Sequence, residues 1–167
     1  MLGIISDTHD NLLSVNKAIA IFNGMGCDLI VHCGDIVCPL TMDPFNGLKV
    51  KFIRGNCDGE LEGLKKKAAE INAEFYEDIC EFTYEEKNFA AYHGNDQFKL
   101  KKLIDSKKYD YVLTGHTHKK TDIKVGETRV INPGAHYPTV EEKTIAVLDA
   151  KEDKLQFIEV SKTVQKY

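Results

Sequence analysis

The segment Leu113-Thr114-Gly115-His116-Thr117-His118 places a glycine and two histidines directly after a short apolar run. That run, Tyr111-Val112-Leu113, has the composition of a buried strand, and the glycine marks its end. In extended backbone, residues i and i+2 share a face, and their Cα atoms lie roughly 6–7 Å apart. This spacing favours two imidazoles that bind two neighbouring metal ions. For this segment taken alone, a loop with two solvated histidines is the alternative.

Four other predicted strands end in polar side chains of the same kind. Ile5 leads to Asp7-Thr8-His9, Val31 to Gly34-Asp35, Ile53 to Gly55-Asn56, and Tyr92 to His93-Gly94. In an open α/β sheet, ligands bind outside the carboxyl ends of the strands, and a glycine beside a donor permits close backbone approach. We therefore expect one metal site built from seven donors: Asp7, His9, Asp35, Asn56, His93, His116 and His118.

The mixture of donors restricts the chemistry of that site. Imidazole and carboxylate together suit manganese, iron, cobalt, nickel or zinc, and they do not suit Cu(I). Seven donors are too many for one tetrahedral structural zinc. They fit two ions that share a carboxylate, roughly 3.5–4 Å apart, which is the arrangement used for in-line displacement at phosphorus. The pattern therefore predicts hydrolysis of a phosphoester.

The overall composition is that of an ordinary globular protein. With 167 residues, 43% of them hydrophobic and 29% charged, we expect a single domain spanning residues 1–167. A net charge of -4 gives no support for a stable nucleic-acid partner, although a nucleotide substrate remains compatible with it.

The cysteines and the N-terminus indicate where the chain functions. The five cysteines form no C-x-x-C pair, and an odd number favours a reduced compartment. Met1 to Ile5 lacks the basic region of a signal peptide, and no apolar run approaches the ~20 residues of a membrane span. We expect a cytoplasmic protein without a membrane partner.

The hydrophobic pattern predicts alternating strands and helices in the first half of the chain. Strands are expected at 2–5, 29–31 and 50–53, helices at 12–25 and 61–72, and a short helical link around Pro39 and Pro44. In the second half, strands are expected at 74–76, 79–84, 89–92, 111–113, 123–125, 129–131, 144–148 and 155–160, with a turn at 85–88 and a helix at 98–104. That half therefore favours a largely antiparallel arrangement.

The ordered set Asp-x-His, Gly-Asp, Gly-Asn-x-Asp, His and Gly-His-x-His resembles the signature of the calcineurin-like metallophosphoesterase superfamily. Gly55-Asn56-Cys57-Asp58 and Ile131-Asn132-Pro133-Gly134 resemble its small prokaryotic YfcE-type phosphodiesterases. The resemblance runs from Asp7 to Gly134. It implies an α/β fold, a four-layer α-β-β-α sandwich of two mixed β-sheets flanked by helices. It also implies a phosphodiesterase in which a hydroxide that bridges two metal ions attacks phosphorus in line.

The resemblance also implies a role for each donor. One ion would be held by Asp7, His9 and His118, the other by Asn56, His93 and His116, with Asp35 bridging the two. Asn56 would in addition orient the substrate, and Asp58 would fix the orientation of a ligand. Asp35, Asn56 and His93 are thus catalytic candidates, together with Asp58 in its orienting role and Cys57. Manganese is the expected ion, with nickel, iron, cobalt, zinc or magnesium as alternatives.

One position departs from the wider superfamily. Many relatives have a histidine after Gly-Asn, where it is thought to protonate the departing oxygen, and this chain has Cys57. A thiol with an ordinary pKa near 8.5 is a poor substitute for an imidazolium. Either Cys57 simply packs, or the enzyme depends on good leaving groups and cleaves aryl diesters far better than alkyl esters.

Several further residues are candidates for contact with the substrate or for packing against the site. Arg54 matches the geometry of a phosphate, although a surface salt bridge is an equal alternative. Asn11 and Asn95 lie on the same loops and are candidates for substrate contact. His32 is expected to be packed behind the site, and His136 either packs or lines the pocket.

Other functions on the same fold are compatible with this donor set. A phosphomonoesterase, a protein phosphatase or a nuclease would use the same donors on a different substrate. A non-catalytic scaffold, like the eukaryotic retromer subunit of this superfamily, would lack part of the donor set. The complete set of seven favours an enzyme acting on a small phosphoester, and a homo-oligomer is left open.

Overall fold

The computed structural model describes residues 1–160, which form two mixed β-sheets packed face to face with helices on the outside. In chain order the elements are β1 (Leu2–Ile5), α1 (Leu12–Gly24), β2 (Leu29–His32), a 3-10 helix (Pro39–Phe45), β3 (Val50–Ile53), α2 (Leu61–Glu70), β4 (Glu74–Tyr76), β5 (Cys80–Tyr84), β6 (Lys87–Ala91), α3 (Gln97–Asp105), β7 (Tyr111–Leu113), β8 (Thr121–Val125), β9 (Thr128–Asn132), β10 (Thr144–Asp149) and β11 (Lys154–Glu159). The predicted four-layer sandwich is confirmed.

The two sheets differ in strand order and in strand direction. The first sheet has the order β11-β10-β1-β2-β3-β4, and the second has the order β5-β6-β7-β9-β8. In the first sheet β1 to β4 pair in parallel, whereas β10 and β11 return from the end of the chain as antiparallel strands. The expectation of a largely antiparallel second half is wrong at β7, which pairs in parallel with both β6 and β9. The hairpin partner β8 is displaced to the edge of the sheet, and strand spacing along the chain does not encode that choice.

Three hydrophobic clusters fill the spaces between the four layers. Between α1, α2 and the first sheet lie Val15, Phe22, Leu64, Ile30, Phe52 and Val147. Between the sheets lie Leu2, Ile4, Val31, Phe89, Leu113 and Leu148. Beneath α3 lie Ala90, Leu103, Val112 and Val130. Because the central strands are buried on both faces, their sequences are continuous apolar runs rather than alternating ones.

Three predicted element boundaries shift by two residues in the structure. Glu85 and Glu86 both have positive φ, 48° and 60°, which makes them a two-residue hairpin turn and starts β6 at Lys87. Asn72 has a φ of 56° and lies beyond α2, which ends at Glu70. β8 begins at Thr121 rather than Ile123. None of the helices between residues 1 and 160 combines the length and apolar character needed to cross a bilayer.

Candidate metal centre

The loops that follow five strands meet at one place in the structure. Asp7 and His9 follow β1, Asp35 follows β2, Asn56 follows β3, His93 follows β6, and His116 and His118 follow β7. Three groups of side chains place their ligand atoms within 4.8 Å of one another: Asp7, His9 and His118; Asp7, Asp35 and His93; and His9, Asp35 and Cys57. The structure therefore brings together donors that are up to 111 positions apart along the chain, as Asp7 and His118 are.

Asp35 lies at the centre of this arrangement. Its Oδ2 is 3.6 Å from Nε2 of His9 and 3.5 Å from Nε2 of His93, so that one oxygen faces both imidazoles. Its Oδ1 accepts a hydrogen bond of 2.8 Å from the backbone N–H of Cys57. Burial opposes ionisation of Asp35, but the contacts with His93 and Cys57 outweigh it and hold the pKa of the carboxyl below its usual range. Asp35 thus keeps its charge in a buried position between two donor sets.

The carboxylate of Asp7 is only partly satisfied by the protein. Oδ2 accepts hydrogen bonds from the Ser6 hydroxyl (2.5 Å) and from the His116 backbone N–H (3.0 Å). Oδ1 lies 3.3 Å from Nε2 of His118 but has no hydrogen-bond partner in the described part of the chain, and the same holds for Nε2 of His9. Burial raises the pKa of Asp7.

These orphaned atoms test whether the site fits a metal ion. A buried polar atom without a partner costs roughly 1–3 kcal/mol, and a buried carboxylate oxygen costs more. Asp7 Oδ1 and His9 Nε2 are electron-pair donors, as is Nε2 of His118, 3.3 Å from that Asp7 oxygen, and the three side chains place ligand atoms within 4.8 Å of one another. A divalent cation would satisfy all three together, so these residues fit the ion that the sequence pattern predicts.

His93 is held in the tautomer that metal ligation needs. Its Nδ1 lies 2.7 Å from the carbonyl oxygen of Cys33, and because a carbonyl only accepts, Nδ1 carries the hydrogen. In the neutral ring the Nε2 lone pair then faces Oδ1 of Asn56 at 3.0 Å and Oδ2 of Asp35. Burial alone would lower the pKa of His93, but the neighbouring Asp35 carboxylate raises it. The Asp35 carboxylate therefore stabilises a positive charge on the His93 ring.

His116 lies beside His93, and its side chain is not buried. Its ring centroid is 5.2 Å from that of His93, and its side chain is exposed, as is that of Asn56. The rings of His9 and His118 are similarly close, with centroids 5.4 Å apart. The histidines thus form two pairs, one on each side of Asp35.

The backbone is strained at the donors themselves. Five of the seven have positive φ values: Asp7 (51°), His9 (41°), Asp35 (58°), His116 (65°) and His118 (59°). This conformation is uncommon for residues other than glycine and costs on the order of 1–3 kcal/mol each in the sparsely populated regions. Such strain persists only where surrounding contacts impose it, and it concentrates at functional sites.

Glycines beside the donors allow the loops to approach one another. A Cβ added to Gly55 would lie 2.1 Å from Oδ1 of Asp35, and one added to Gly115 would lie 2.0 Å from the Ser6 hydroxyl. A Cβ at Gly34 would lie 2.5 Å from the His93 ring. The prediction that these glycines permit close backbone approach is confirmed.

Asp58 and Asn132 brace the loops from behind. The carboxylate of Asp58 is fully buried and accepts hydrogen bonds from the backbone N–H groups of Asp35, Val37 and Gly55. Asn132 donates to the Gly115 carbonyl at 2.7 Å, on the loop that carries His116. These contacts are those of an orienting residue, the role predicted for Asp58.

Cys57 does not pack into the core, so that alternative is wrong. Its side chain is exposed, and its Sγ lies within 4.8 Å of the donor atoms of His9 and Asp35. Partial desolvation and the Asp35 carboxylate raise the pKa of the thiol to about 11. Cys57 therefore stands at the site as a neutral, weakly acidic group.

Arg54 and Asn11 differ in what the structure leaves available. The exposed guanidinium of Arg54 makes no hydrogen bond or ion pair with residues 1–160, so the alternative of a surface salt bridge is not realised there. Asn11 is the N-cap of α1. Its Oδ1 accepts from the Ser14 N–H, and its Nδ2 donates to the His136 carbonyl, so backbone groups occupy both ends of the amide.

The two remaining histidines are both buried. His32 packs against Phe45 and Phe52 and contacts the Thr8 hydroxyl at 2.9 Å, as expected for a residue behind the site. His136 is fully buried with Nδ1 2.5 Å from the Ser14 hydroxyl, so the alternative in which it lines the pocket is wrong.

Tyr137, the residue after His136, contacts the site instead. Its ring centroid is 4.8 Å from that of His9 and 5.9 Å from that of His118, and its side chain is 40% exposed. Tyr137 was not among the residues predicted for the site. It lies in a loop without hydrophobic periodicity, and the only available signal was an aromatic residue shortly after Pro133-Gly134.

Comparisons with known proteins place this geometry in a family. Residues 1–153 match the calcineurin-like phosphoesterase superfamily domain. The chain belongs to the calcineurin-like phosphoesterase superfamily and is a phosphoesterase.

Individual relatives agree with this assignment. The chain is 39% identical over 136 residues to phosphodiesterase MJ0936 of Methanocaldococcus jannaschii, covering 80% of this chain and 82% of that protein. A solved structure described as a novel archaeal phosphodiesterase superposes with a TM-score of 0.90 at 34% identity, over 95% of this chain and 98% of that one. The phosphoesterase YfcE of E. coli shares the fold, with a TM-score of 0.66 at 17% identity over 95% and 98% of the two chains.

Proposed function

We propose that this protein hydrolyses small phosphodiesters with the aid of two divalent metal ions, for which manganese is the expected species. The observation that carries the proposal is the position of Asp35 Oδ2, 3.6 Å from His9 Nε2 and 3.5 Å from His93 Nε2. A single carboxylate oxygen that faces two imidazoles from different loops is suited to bridge two ions. The similarity to proteins named phosphodiesterase supports the same reaction.

The donors divide into two sets around Asp35. Asp7, His9 and His118 would hold one ion, and Asn56, His93 and His116 the other. When bound, such a pair of ions supplies Lewis-acid polarisation of the phosphoryl oxygens and an activated water at neutral pH. The chain itself contributes the buried charge of Asp35, the fixed tautomer of His93 and the exposed amide of Asn56, which would lie beside a bound phosphate.

A diester is favoured over a monoester by what lies on either side of the centre. Tyr137 covers the His9 and His118 side with an exposed aromatic ring. On the other side, a cavity opens next to Asn56, with Arg54 and Asn95 among the residues that line it. A phosphodiester carries two substituents, and each would have its own contact surface.

Domain organisation, cellular location and nucleic-acid binding are proposed from other features of the chain. We propose that the described residues 1–160 form one domain, since both ends of that stretch belong to the first sheet. A cytoplasmic location is consistent with the five unpaired cysteines, of which Cys33 and Cys80 are buried thiols. A net charge of -4 argues against a stable nucleic-acid partner.

Hydrolysis of bis(p-nitrophenyl) phosphate by protein reconstituted with single metals tests the proposal. We expect turnover with manganese, loss of turnover on removal of metal with a chelator, and recovery on its return. We also expect bis(p-nitrophenyl) phosphate to be cleaved faster than p-nitrophenyl phosphate. Absence of turnover with manganese, nickel, cobalt, iron, zinc and magnesium would instead favour a scaffold on the same fold.

A further inference from the structure

A polar cavity adjoins the candidate metal centre on the side of Asn56. It has a volume of about 420 Å³ and is lined in part by Arg54, Gly55, Asn56, Tyr92, Asn95 and Lys99. Gly55 and Asn56 belong to the loop that supplies a donor, so the cavity begins where the phosphate would lie. A substituent on that phosphate would extend into it.

The acidic residues around this cavity are already engaged. Asp78 forms an ion pair with Lys99, and Glu77 forms one of 2.6 Å with Lys65. Asp96 is the N-cap of α3, where its Oδ1 accepts hydrogen bonds from two backbone N–H groups at 2.9 and 3.0 Å. Two of the three carboxylates are therefore paired with lysines, and the third is hydrogen-bonded to the first turn of α3.

Arg54 is the charged group in this cavity that has no such engagement. Its side chain makes no hydrogen bond or ion pair within the described residues. Its charge contributes to the lowered pKa of Glu77, but Lys65 has the larger effect on that carboxyl. A guanidinium presents five donors in a planar fork that matches carboxylate and phosphate. The side chain of Asn95, also exposed at the cavity, adds an amide.

We infer that this cavity binds the second substituent of the substrate and that Arg54 selects substituents carrying an anionic group, such as a carboxylate or a further phosphate. The inference rests on the proposed function, since it places the scissile phosphate over the metal centre. It narrows the substrate class to phosphodiesters with a negatively charged alcohol component. Because the guanidinium is exposed, we expect a preference of roughly fivefold.

Two matched diesters test the preference. 4-Nitrophenyl 3-carboxypropyl phosphate and its carboxamide analogue release the same leaving group and differ only in charge at the far end. For the wild-type protein, kcat/KM for the carboxylate should exceed that for the amide by roughly fivefold. In Arg54→Gln the two kcat/KM values should be equal, and Arg54→Lys should keep part of the preference for the carboxylate. Lys154→Gln removes the same charge on β11, at the edge of the first sheet opposite β4, and should leave the ratio unchanged.

A binding measurement separates this inference from the proposed function. In nitrogen-15-labelled protein with magnesium, 4-phosphonobutanoate should shift the Arg54 Nε–H resonance, and butylphosphonate should leave it in place. Equal kcat/KM values for the two diesters, or an unshifted Arg54 resonance, would overturn the inference. If bis(p-nitrophenyl) phosphate is not hydrolysed at all, the proposed function fails while the resonance shift still reports on Arg54.

Discussion

The buried carboxylate of Asp58 accepts a hydrogen bond of 3.1 Å from the backbone N–H of Asp35. It accepts two more, each of 2.7 Å, from the backbone N–H groups of Gly55 and Val37. Val37 is a β-branched residue with a φ of 77°, a conformation that such residues rarely adopt. One carboxylate therefore ties together the loops after β2 and β3 and holds the strained backbone that presents Asp35.

Replacing Asp58 with asparagine should weaken metal binding and catalysis together. The amide has one acceptor oxygen where the carboxylate has two, and its NH2 group would face a backbone donor. We expect a 10–100-fold loss in metal affinity or kcat, the usual effect of removing an orienting partner. Metal titration and steady-state kinetics measure it. Asp149→Asn is the control, because the Asp149 carboxylate likewise accepts hydrogen bonds from backbone N–H groups, two of them, but on the turn after β10. Equal effects of the two substitutions would contradict the orienting role.

Asp35→Asn tests the bridging role directly. The amide oxygen can still accept the hydrogen bond from the Cys57 N–H, so the fold should be retained. The charge that faces His9 and His93 is lost, and we expect fewer than two ions per chain and a fall in kcat of about 10²-fold or more. Elemental analysis, circular dichroism and kinetics report these separately. Near-normal turnover in this variant would rule out a bridging carboxylate.

Cys57 should make the rate depend strongly on the leaving group. A thiol whose pKa is raised to about 11 is a weak proton donor, so the departing oxygen must leave with little assistance. We expect a steep fall in kcat as the leaving-group pKa rises across a series of aryl and alkyl diesters. Cys57→His should flatten that dependence, whereas Cys57→Ser should not. An unchanged slope in Cys57→His would show that residue 57 does not protonate the leaving group.

The donors could be predicted from the sequence because each follows an apolar run that is visible on its own. Strand ends in an α/β fold converge, so Asp7, Asp35 and His93 could be expected to meet before any contact was known. The four-layer sandwich followed from the resemblance. Those features depend on local pattern or on a motif.

Other features depend on contacts between distant segments, which no local pattern encodes. Tyr137 reaches His9 only because the loop after β9 folds back over α1, where Asn11 and Ser14 hold His136. The parallel pairing of β7 with β9 depends on which strand of a hairpin turns inward. The position of Tyr137 and the pairing of β7 with β9 are thus decided by tertiary packing, which the local sequence does not specify.

Buried neutral histidines should make the protein sensitive to acid. Desolvation lowers the pKa of His136 to about 4 and that of His32 to about 3, from an ordinary value of 6.5. Between those values and 6.5 the unfolded chain binds protons that the folded chain does not. The free energy of unfolding should therefore fall as pH drops below 6.5 and be unaffected by these groups above it.

Urea unfolding of metal-free protein at pH 7 and pH 5 measures this loss. For His136 alone we expect roughly 2 kcal/mol between the two values. His136→Asn keeps a polar atom near the Ser14 hydroxyl and removes the titrating ring, so its loss should be smaller by about that amount. Parallel pH dependences in the two proteins would mean that His136 is protonated in the fold.

Gly55 and Gly59 lie on the same loop, and only Gly55 should be intolerant of a methyl group. A Cβ at Gly55 would lie 2.1 Å from Asp35 Oδ1 and 2.3 Å from the Asp35 backbone nitrogen, whereas a Cβ at Gly59 would meet nothing within 4 Å. Because backbone cannot yield as a flexible side chain does, Gly55→Ala should displace Asp35. We expect a loss of roughly 1–3 kcal/mol in stability and at least a tenfold loss in metal affinity, with Gly59→Ala close to wild type in both. Thermal unfolding and metal titration compare them, and a Gly55→Ala protein that binds metal normally would show that Asp35 is not fixed by this approach.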